Sequence, residues 1–424
     1  MQRREFVRMM SAAAAMAPSL HGFASPRFQL THADEQLLDE IQRRGCLYFA
    51  EQAGPTTGQV LDRAKWVGST GGLDPRRMSS IAATGFGLTA LCIAHRRGYQ
   101  LRERVLEQVR RTLRFHAEKL PHEHGFFSHF NDVETGAAWH GSEISSIDTA
   151  LLLCGVLFAR AYFHSDAEIV RLATAIYNRV DWPWMLDGGT AFSMGYRDGK
   201  FLEARWNHYC ELMIIYLLAL GSPTHPVEAA CWDAFSRPAM EYQGLRYISS
   251  ADPLFVHQYS HAWFDFRGKR DKYANYFENS VTATRAHMGF CVSLGKPYSP
   301  DYWGISASDS QHGYTAWGGP PRLDDPDGSV VPYATAGSLP FLPAECLRVQ
   351  RALRRFGDAV WGRYGYADAF HPQAGWYDPD VLGIDLGISV LMAENLRSGF
   401  VWETFGRNPE VAVAFRRAGF HSDG

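Results

Sequence analysis

The sequence predicts an all-α fold and, within that class, an (α/α)6 barrel. Helical periods recur along nearly the whole chain, whereas strand-like alternation is scarce. Segments that are apolar on every face take turns with amphipathic or heavily charged ones, as an inner ring of helices wrapped by an outer ring requires. No repeated sequence unit is visible, which argues against a solenoid.

The first segment stands outside this pattern. Arg3-Arg4-Glu5-Phe6-Val7-Arg8 carries paired arginines, an Ala/Met-rich stretch runs from Met9 to Ala17, and Gly22-Phe23-Ala24 offers small residues to a signal peptidase. This is the pattern of a twin-arginine export signal over residues 1–25, with residues 26–424 as a single domain. It predicts a mature protein in the periplasm or outside the cell. No later segment supplies the roughly 18 uninterrupted apolar residues of a membrane span.

From there the helices follow in order. Glu35–Gln52 is amphipathic, with Asp34 placed to cap it; Ser79–His95 is apolar and rich in small residues; Leu101–Lys119 is heavily charged. Ile144–Phe163 is apolar again, Asp166–Val180 mixed, Trp206–Leu220 apolar and Pro226–Phe235 mixed. Tyr273–Leu294, Ala344–Trp361, Ile384–Arg397 and Pro409–Arg417 complete a set of about eleven or twelve. Three connections exceed ordinary loop length: Phe126–Gly141, Ser250–Asp271 and Tyr298–Leu339. Each is rich in Gly, Pro, Asp, His and aromatics, and together they are expected to build a site at one end of the barrel.

Composition narrows the chemistry. The 424 residues carry a net charge of -3, so nothing points to nucleic acid or an anionic membrane. With 12 Trp, 19 Tyr and 26 Phe, the chain has aromatic faces to spare for sugar rings. The seven cysteines form no CxxC and no metal-type spacing, so no essential disulfide is expected. No Gly-rich phosphate loop, Gly-x-Ser-x-Gly elbow or Cys/His dyad appears. The expected partner is an oligo- or polysaccharide bound by a monomer, with no cofactor and no metal.

Glu211 is the residue that stands out, because a carboxyl at the head of a wholly apolar run loses water, and desolvation favours its protonated form. Beside Trp206, Asn207, His208 and Tyr209, a protonated acid is what a glycosidase uses as its general acid. A buried structural Glu held by Arg205 or His208 is the other reading. Gly141–Ala150 holds Glu143 and Asp148 at the entry of an inner helix, where Ser142 and Ser145 can cap and unpaired N–H groups favour negative charge. They are either capping-region acids or ionised carboxylates facing the cavity, opposite in character to Glu211.

The stretch Phe255–Asp271 is the densest polar-aromatic segment, and His257, Gln258, His261, Asp265 and Arg267 suit sugar hydroxyls. His257 and His261 at i and i+4 also admit zinc with Asp265, but Gln258 stands where the zinc-protease signature has Glu. Trp206, Trp303, Asp309, Tyr314, Asp368 and Glu394 are further candidates for lining the cavity, and Asp385 is a weaker one.

These segments, taken in order, resemble a known family. Ser146-Ile147-Asp148-Thr149, Trp206-Asn207-His208-Tyr209-Cys210-Glu211, Leu220–His225, Phe255–Asp271, Tyr276–Ser280, Trp303–Gly313, Ala336–Phe341, Gly365–Phe370 and Glu394-Asn395 are similar to the glucoamylase-like family. That family includes the glycoside hydrolase family 144 endo-β-1,2-glucanases and the transglycosylase domain of cyclic β-1,2-glucan synthases. The resemblance runs from about residue 36 to the C-terminus. It implies an (α/α)6 barrel, no cofactor, and hydrolysis of β-1,2-glucan or sophoro-oligosaccharides with inversion. Glu211 matches the position that looks like the general acid, and Asp148 and Glu143 match acids lining the same subsites. In related enzymes the proton reaches the base through water or a sugar hydroxyl, which loosens any distance rule for the base. Asp385-Leu386-Gly387-Ile388 departs from a usual Asp-Gln-Gly-Pro-like stretch, and Cys210 beside Glu211 is a second departure. The alternatives are a non-hydrolytic glucan-binding or glucan-modifying accessory protein, and a polysaccharide lyase on the same architecture.

Overall fold

The computed structural model describes residues 28–69, 71–250, 253–320 and 325–423; the expected export signal lies outside them. The helices are α1 (His32–Glu51), α2 (Ile81–Arg96), α3 (Arg102–Glu118), α4 (Ser146–Tyr162), α5 (Ala167–Asn178), α6 (Trp182–Met185) and α7 (Met213–Gly221). They continue with α8 (Tyr259–Trp263), α9 (Tyr276–Ser293), α10 (Pro332–Ala336), α11 (Pro343–Leu353), α12 (Gly383–Arg397), α13 (Phe400–Phe405) and α14 (Pro409–Arg417).

Burial separates two kinds of helix. In α2 every residue from Ile81 to Ala94 is buried, and α4 and α12 are buried almost end to end. Such helices have no face to give to water. α3 and α5, by contrast, bury one stripe each and pack on inner helices or on one another. α2 lies against both α4 and α12, α4 against α7, α7 against α8, α8 against α12, and α10 against α12. The α2–α4 crossing is close because Gly85 and Gly155 face each other; a Cβ on either would run into backbone of the opposite helix. The result is a helix-rich, barrel-type arrangement in which the inner helices α2, α4 and α12 start at the same end.

Several boundaries differ from expectation for physical reasons. Thr31, not Asp34, caps α1: the Thr31 hydroxyl accepts from the Asp34 N–H while the Asp34 carboxylate accepts from the Thr31 N–H, a reciprocal capping box. Expected helix over Trp206–Leu212 is absent, and α7 begins only at Met213. Carbonyls in that stretch bond to tertiary partners: Tyr216 Oη donates to the Trp206 carbonyl and Ser260 Oγ to that of Glu211. Pro226–Phe235 yields a 3-10 turn over Ala229–Asp233. The long loops carry order of their own, including α8 and α10.

Strands are short but positioned to matter. A five-stranded antiparallel sheet runs, in spatial order, through His122–Glu123, Phe126–Ser128, Ile144–Ser145, Gly195–Arg197 and Lys200–Phe201. Ile144–Ser145, expected as helix, is its central strand and feeds straight into α4. All seven cysteines are buried, with no disulfide among the described residues.

Candidate active site

Helix starts converge on one cavity of about 330 Å³. Ser80 caps α2, Asp148 stands in the first turn of α4, Leu382 and Ile384 flank the start of α12, and Tyr259 opens α8. All of them line it, together with Asp62, Arg63, His129, Phe130, Glu211, Phe255 and Tyr314. Converging helix N-termini bring unpaired N–H groups and positive dipole ends, a setting that favours anionic side chains.

Glu211 reaches the cavity from the turn before α7 and is buried, 9% exposed. Arg205, the partner envisaged for a structural Glu211, is engaged elsewhere: it pairs with Asp187 at 3.0 Å and donates to the Leu202 carbonyl. His208 lies on the surface beside Asn207. On the same cavity, Asp148 accepts from Ser145 Oγ at 2.6 Å, and Ser145 in turn accepts from the Asp148 N–H.

His129, on the connection into the central strand, ties the two acids of this segment together. Its Nδ1 lies 3.1 Å from Glu143 Oε1 and its Nε2 3.5 Å from Asp148 Oδ2. Burial works against the imidazolium, but Asp148, Glu143 and Asp62 outweigh it and raise the imidazole to about 9. The His129 hydrogen bond holds the Glu143 carboxyl below its ordinary range.

A second set of acids lies behind Tyr259, whose hydroxyl approaches Asp385 Oδ1 at 3.4 Å. Burial lifts Asp385 well above the ordinary carboxyl range, and the adjoining Asp368 adds to the lift. Burial raises Asp368 itself to about 6. Two buried carboxyls in contact cannot both ionise, so this pair shares a proton. Asp368 Oδ2 also accepts from the Asp309 N–H, and Asp309 binds Arg63 at 2.7 Å. Burial, with Asp368 beside it, raises Asp378 to about 8. Asp309, Asp378 and Asp380 bring carboxylate oxygens within 4.8 Å of one another, a spacing that a cation can use, although Arg63 and Arg76 already neutralise Asp309 and Asp380.

Other expected site residues lie elsewhere. Trp206 Nε1 donates to Ser146 Oγ, next to the cavity segment. His257 meets Tyr209, His261 meets Ser280, and burial lowers each imidazole to about 3, so both are neutral core groups. Asp265 pairs with Arg267, and His257, His261 and Asp265 do not bring ligand atoms together among the described residues, so the zinc set is not assembled. Gln258 donates to the Ala334 carbonyl and Ser338, and Trp303 is wholly buried. Asp265 and Arg267 line a different cleft with Trp402 and Phe415, and Arg267 lies over the Trp402 ring at 4.0 Å. Glu394 is bound by Arg97, Gln42 and Ser398 near the far end of α12, roughly 16 Å along the helix from its start. For these residues the polar-aromatic pattern reflects core hydrogen bonding and positions away from the cavity. Tyr314, 54% exposed, does stand at the cavity.

Sequence reading missed Asp62, Arg63 and His129. Their only advance signal was Phe126–Gly141 as a long loop with an unassigned histidine; the Asp62-Arg63 segment showed none.

Residues 203–409 match the Glycoamylase family model, described as "Putative glucoamylase". A crystal structure of a "putative glucoamylase" from Bacteroides caccae is 31% identical, with a TM-score of 0.84, covering 92% of this chain and 99% of that one. An endo-β-1,2-glucanase from Chitinophaga pinensis, solved with sophorotriose and glucose, is 27% identical over 92% of this chain and 98% of its own, also at 0.84. The exo β-1,2-glucooligosaccharide sophorohydrolase (non-reducing end) of Parabacteroides distasonis is 28% identical over 91% of this chain, which spans 58% of that protein's length. Similarity of this extent, over nearly the full length of both chains in the structural matches, places the protein plainly: it belongs to the glucoamylase-like family.

Proposed function

We propose that this protein hydrolyses β-glucan, with β-1,2-glucan or sophoro-oligosaccharides as substrate, by general acid/base catalysis with inversion on a closed (α/α)6 barrel. The observation that carries the reading is the meeting of two buried carboxyls in one cavity, Glu211 from the turn before α7 and Asp148 from the first turn of α4. Glu211, buried in the turn before α7, protonates the glycosidic oxygen as the bond breaks. Asp148, in a polar, hydrogen-bonded setting, takes the proton of the attacking water, with Glu143 beside it. Tyr314, Phe255 and Phe130 offer faces for glucose rings. Family relatives that act on β-1,2-glucan support the linkage.

A second reading of the base has its own support: the Tyr259 hydroxyl links the cavity to the proton-sharing Asp385–Asp368 pair. The accessory-protein reading would be favoured by Arg205 on Glu211, yet Arg205 pairs with Asp187. The paired arginines at the N-terminus support export to the periplasm or beyond, and the mature chain would act as a monomer.

The test is to incubate the mature protein with linear β-1,2-, β-1,3- and β-1,4-glucans, follow products by chromatography, and follow the first anomer formed by NMR. Products from β-1,2-glucan alone, released as the α-anomer, support the proposal. Turnover of another linkage instead, or binding without turnover, would overturn it.

A further inference from the structure

His129 belongs to neither reacting pair, yet it is fixed more firmly than a cavity-lining loop residue needs to be. Its N–H donates to the Glu143 carbonyl at 2.9 Å, and its own carbonyl accepts from the Ile81 N–H at 3.3 Å, at the head of α2. The imidazole stacks on Phe130 with ring centroids 3.7 Å apart and planes 19° from parallel. Held in this way, each ring nitrogen faces a different carboxylate: Nδ1 faces Glu143, and Nε2 faces Asp148 on Oδ2, the oxygen that also accepts from Ser145. A neutral imidazole has one N–H and can donate to only one of them; the doubly protonated ring serves both.

We propose that His129 is the positioning residue of this site, a clamp between the start of α4 and the strand before it that fixes Glu143 and Asp148 and keeps Asp148 ready to accept a proton from water. The proposal rests on the hydrolase reading above but makes a separate claim about charge.

The groups that face His129 come from every element around it. Asp148 comes from α4, Glu143 from the residue before the strand, Asp62 and Arg63 from the segment before α2, and Glu211, Tyr259 and Tyr314 from the rest of the cavity lining. Arg197, near Glu143, adds to the positive side. Three acids against the burial of one ring leave it cationic through neutral pH. The clamp needs both carboxylates ionised, so protonating them at acid pH releases the clamp and removes the proton acceptor together.

Two measurements test this. The first needs no substrate: NMR titration of histidine ring resonances in the full mature protein, with His129→Asn for assignment. One ring is expected to titrate near pH 9, to vanish in His129→Asn, and to fall toward the ordinary value of about 6.5 in Asp148→Asn. A His129 ring that titrates near the ordinary value in the wild type, unmoved by Asp148→Asn, would overturn the clamp. The second is kcat/KM against pH on β-1,2-gluco-oligosaccharides. His129→Gln is expected to lower kcat by about a hundredfold, the scale of a misplaced reacting group, with KM changed far less and the acid limb moved to higher pH. A lower kcat with an unmoved acid limb would contradict the charge role. If the wild type cleaves no glucan, the hydrolase reading fails and the ring titration still decides the clamp.

Discussion

Glu211 and Asp148 arrive at one cavity from different local structures, and the difference decides their assigned roles. Asp148 sits in a helix first turn with a serine hydroxyl and an imidazole on the same carboxylate oxygen, a setting that stabilises the anion. Glu211 is buried in the turn before α7, where its carbonyl accepts from Ser260 Oγ. If Asp148 is the base, Asp148→Asn should lower kcat by a hundredfold or more, on the order of 10²–10⁴. Glu143→Gln should act mainly on KM, and Asp385→Asn should leave kcat within about tenfold. A reversed order, with Asp385→Asn the more damaging, would move the base behind Tyr259. Steady-state kinetics of the three variants reads this directly. At this scale sequence reading found the acids that interrupt apolar runs, because a carboxyl in such a run is conspicuous. It did not find His129 or Arg63, whose significance comes from partners distant in the sequence, nor could it tell that His257, His261 and Gln258 serve core hydrogen bonds.

Individual helices explain why the site stands where it does. α2 and α4 can lie close enough to bring Ser80 and Asp148 to the same cavity because Gly85 and Gly155 leave their backbones bare at the crossing. Gly155→Ala should therefore destabilise the fold by about 1–3 kcal/mol through overpacking, read from denaturant unfolding. An unchanged midpoint would mean that the helices separate without cost. At the rim, the capping box of α1 predicts a loss of about 1 kcal/mol for Thr31→Ala, measured in the same way and without effect on any glucan turnover. The long buried helices were legible because their composition is apolar on every face. Short α8, α10 and α13 were not, having too few turns to show a period, and the stretch before α7 read as helix because its side chains are helix-compatible while its carbonyls take side-chain donors, Tyr216 in α7 and Ser260 in α8.

The whole molecule carries a pH signature that is independent of catalysis. Burial lowers His116 and His287 to about 4 and His257 and His261 to about 3. A base whose folded value lies below its unfolded value near 6.5 is protonated first in the unfolded chain as pH falls. The stability it contributes is therefore complete above about pH 6.5 and is lost as pH falls toward 4 and 3. The raised acids Asp385, Asp368 and Asp378 and the raised His129 act in the opposite sense, so the test is a difference: as pH falls from 7 to 4.5, the Tm of the wild type should lose ground to that of His116→Gln. The alternation of buried and surface helices made the helix-rich barrel-type architecture visible from the sequence, while the end of the barrel at which each polar cluster lies was not. Asp265, Arg267 and Glu394 read like cavity residues and lie away from it. What joins fold, family and site is the claim that Glu211 is the proton donor for cleavage of β-1,2-glucan. The most direct measurement compares wild type and Glu211→Gln on linear β-1,2-glucan under the same conditions. Cleavage by the wild type, with at least about a hundredfold loss in the variant while glucan binding is retained, is the predicted result. Equal turnover by the two proteins would remove Glu211 from the mechanism and contradict the account.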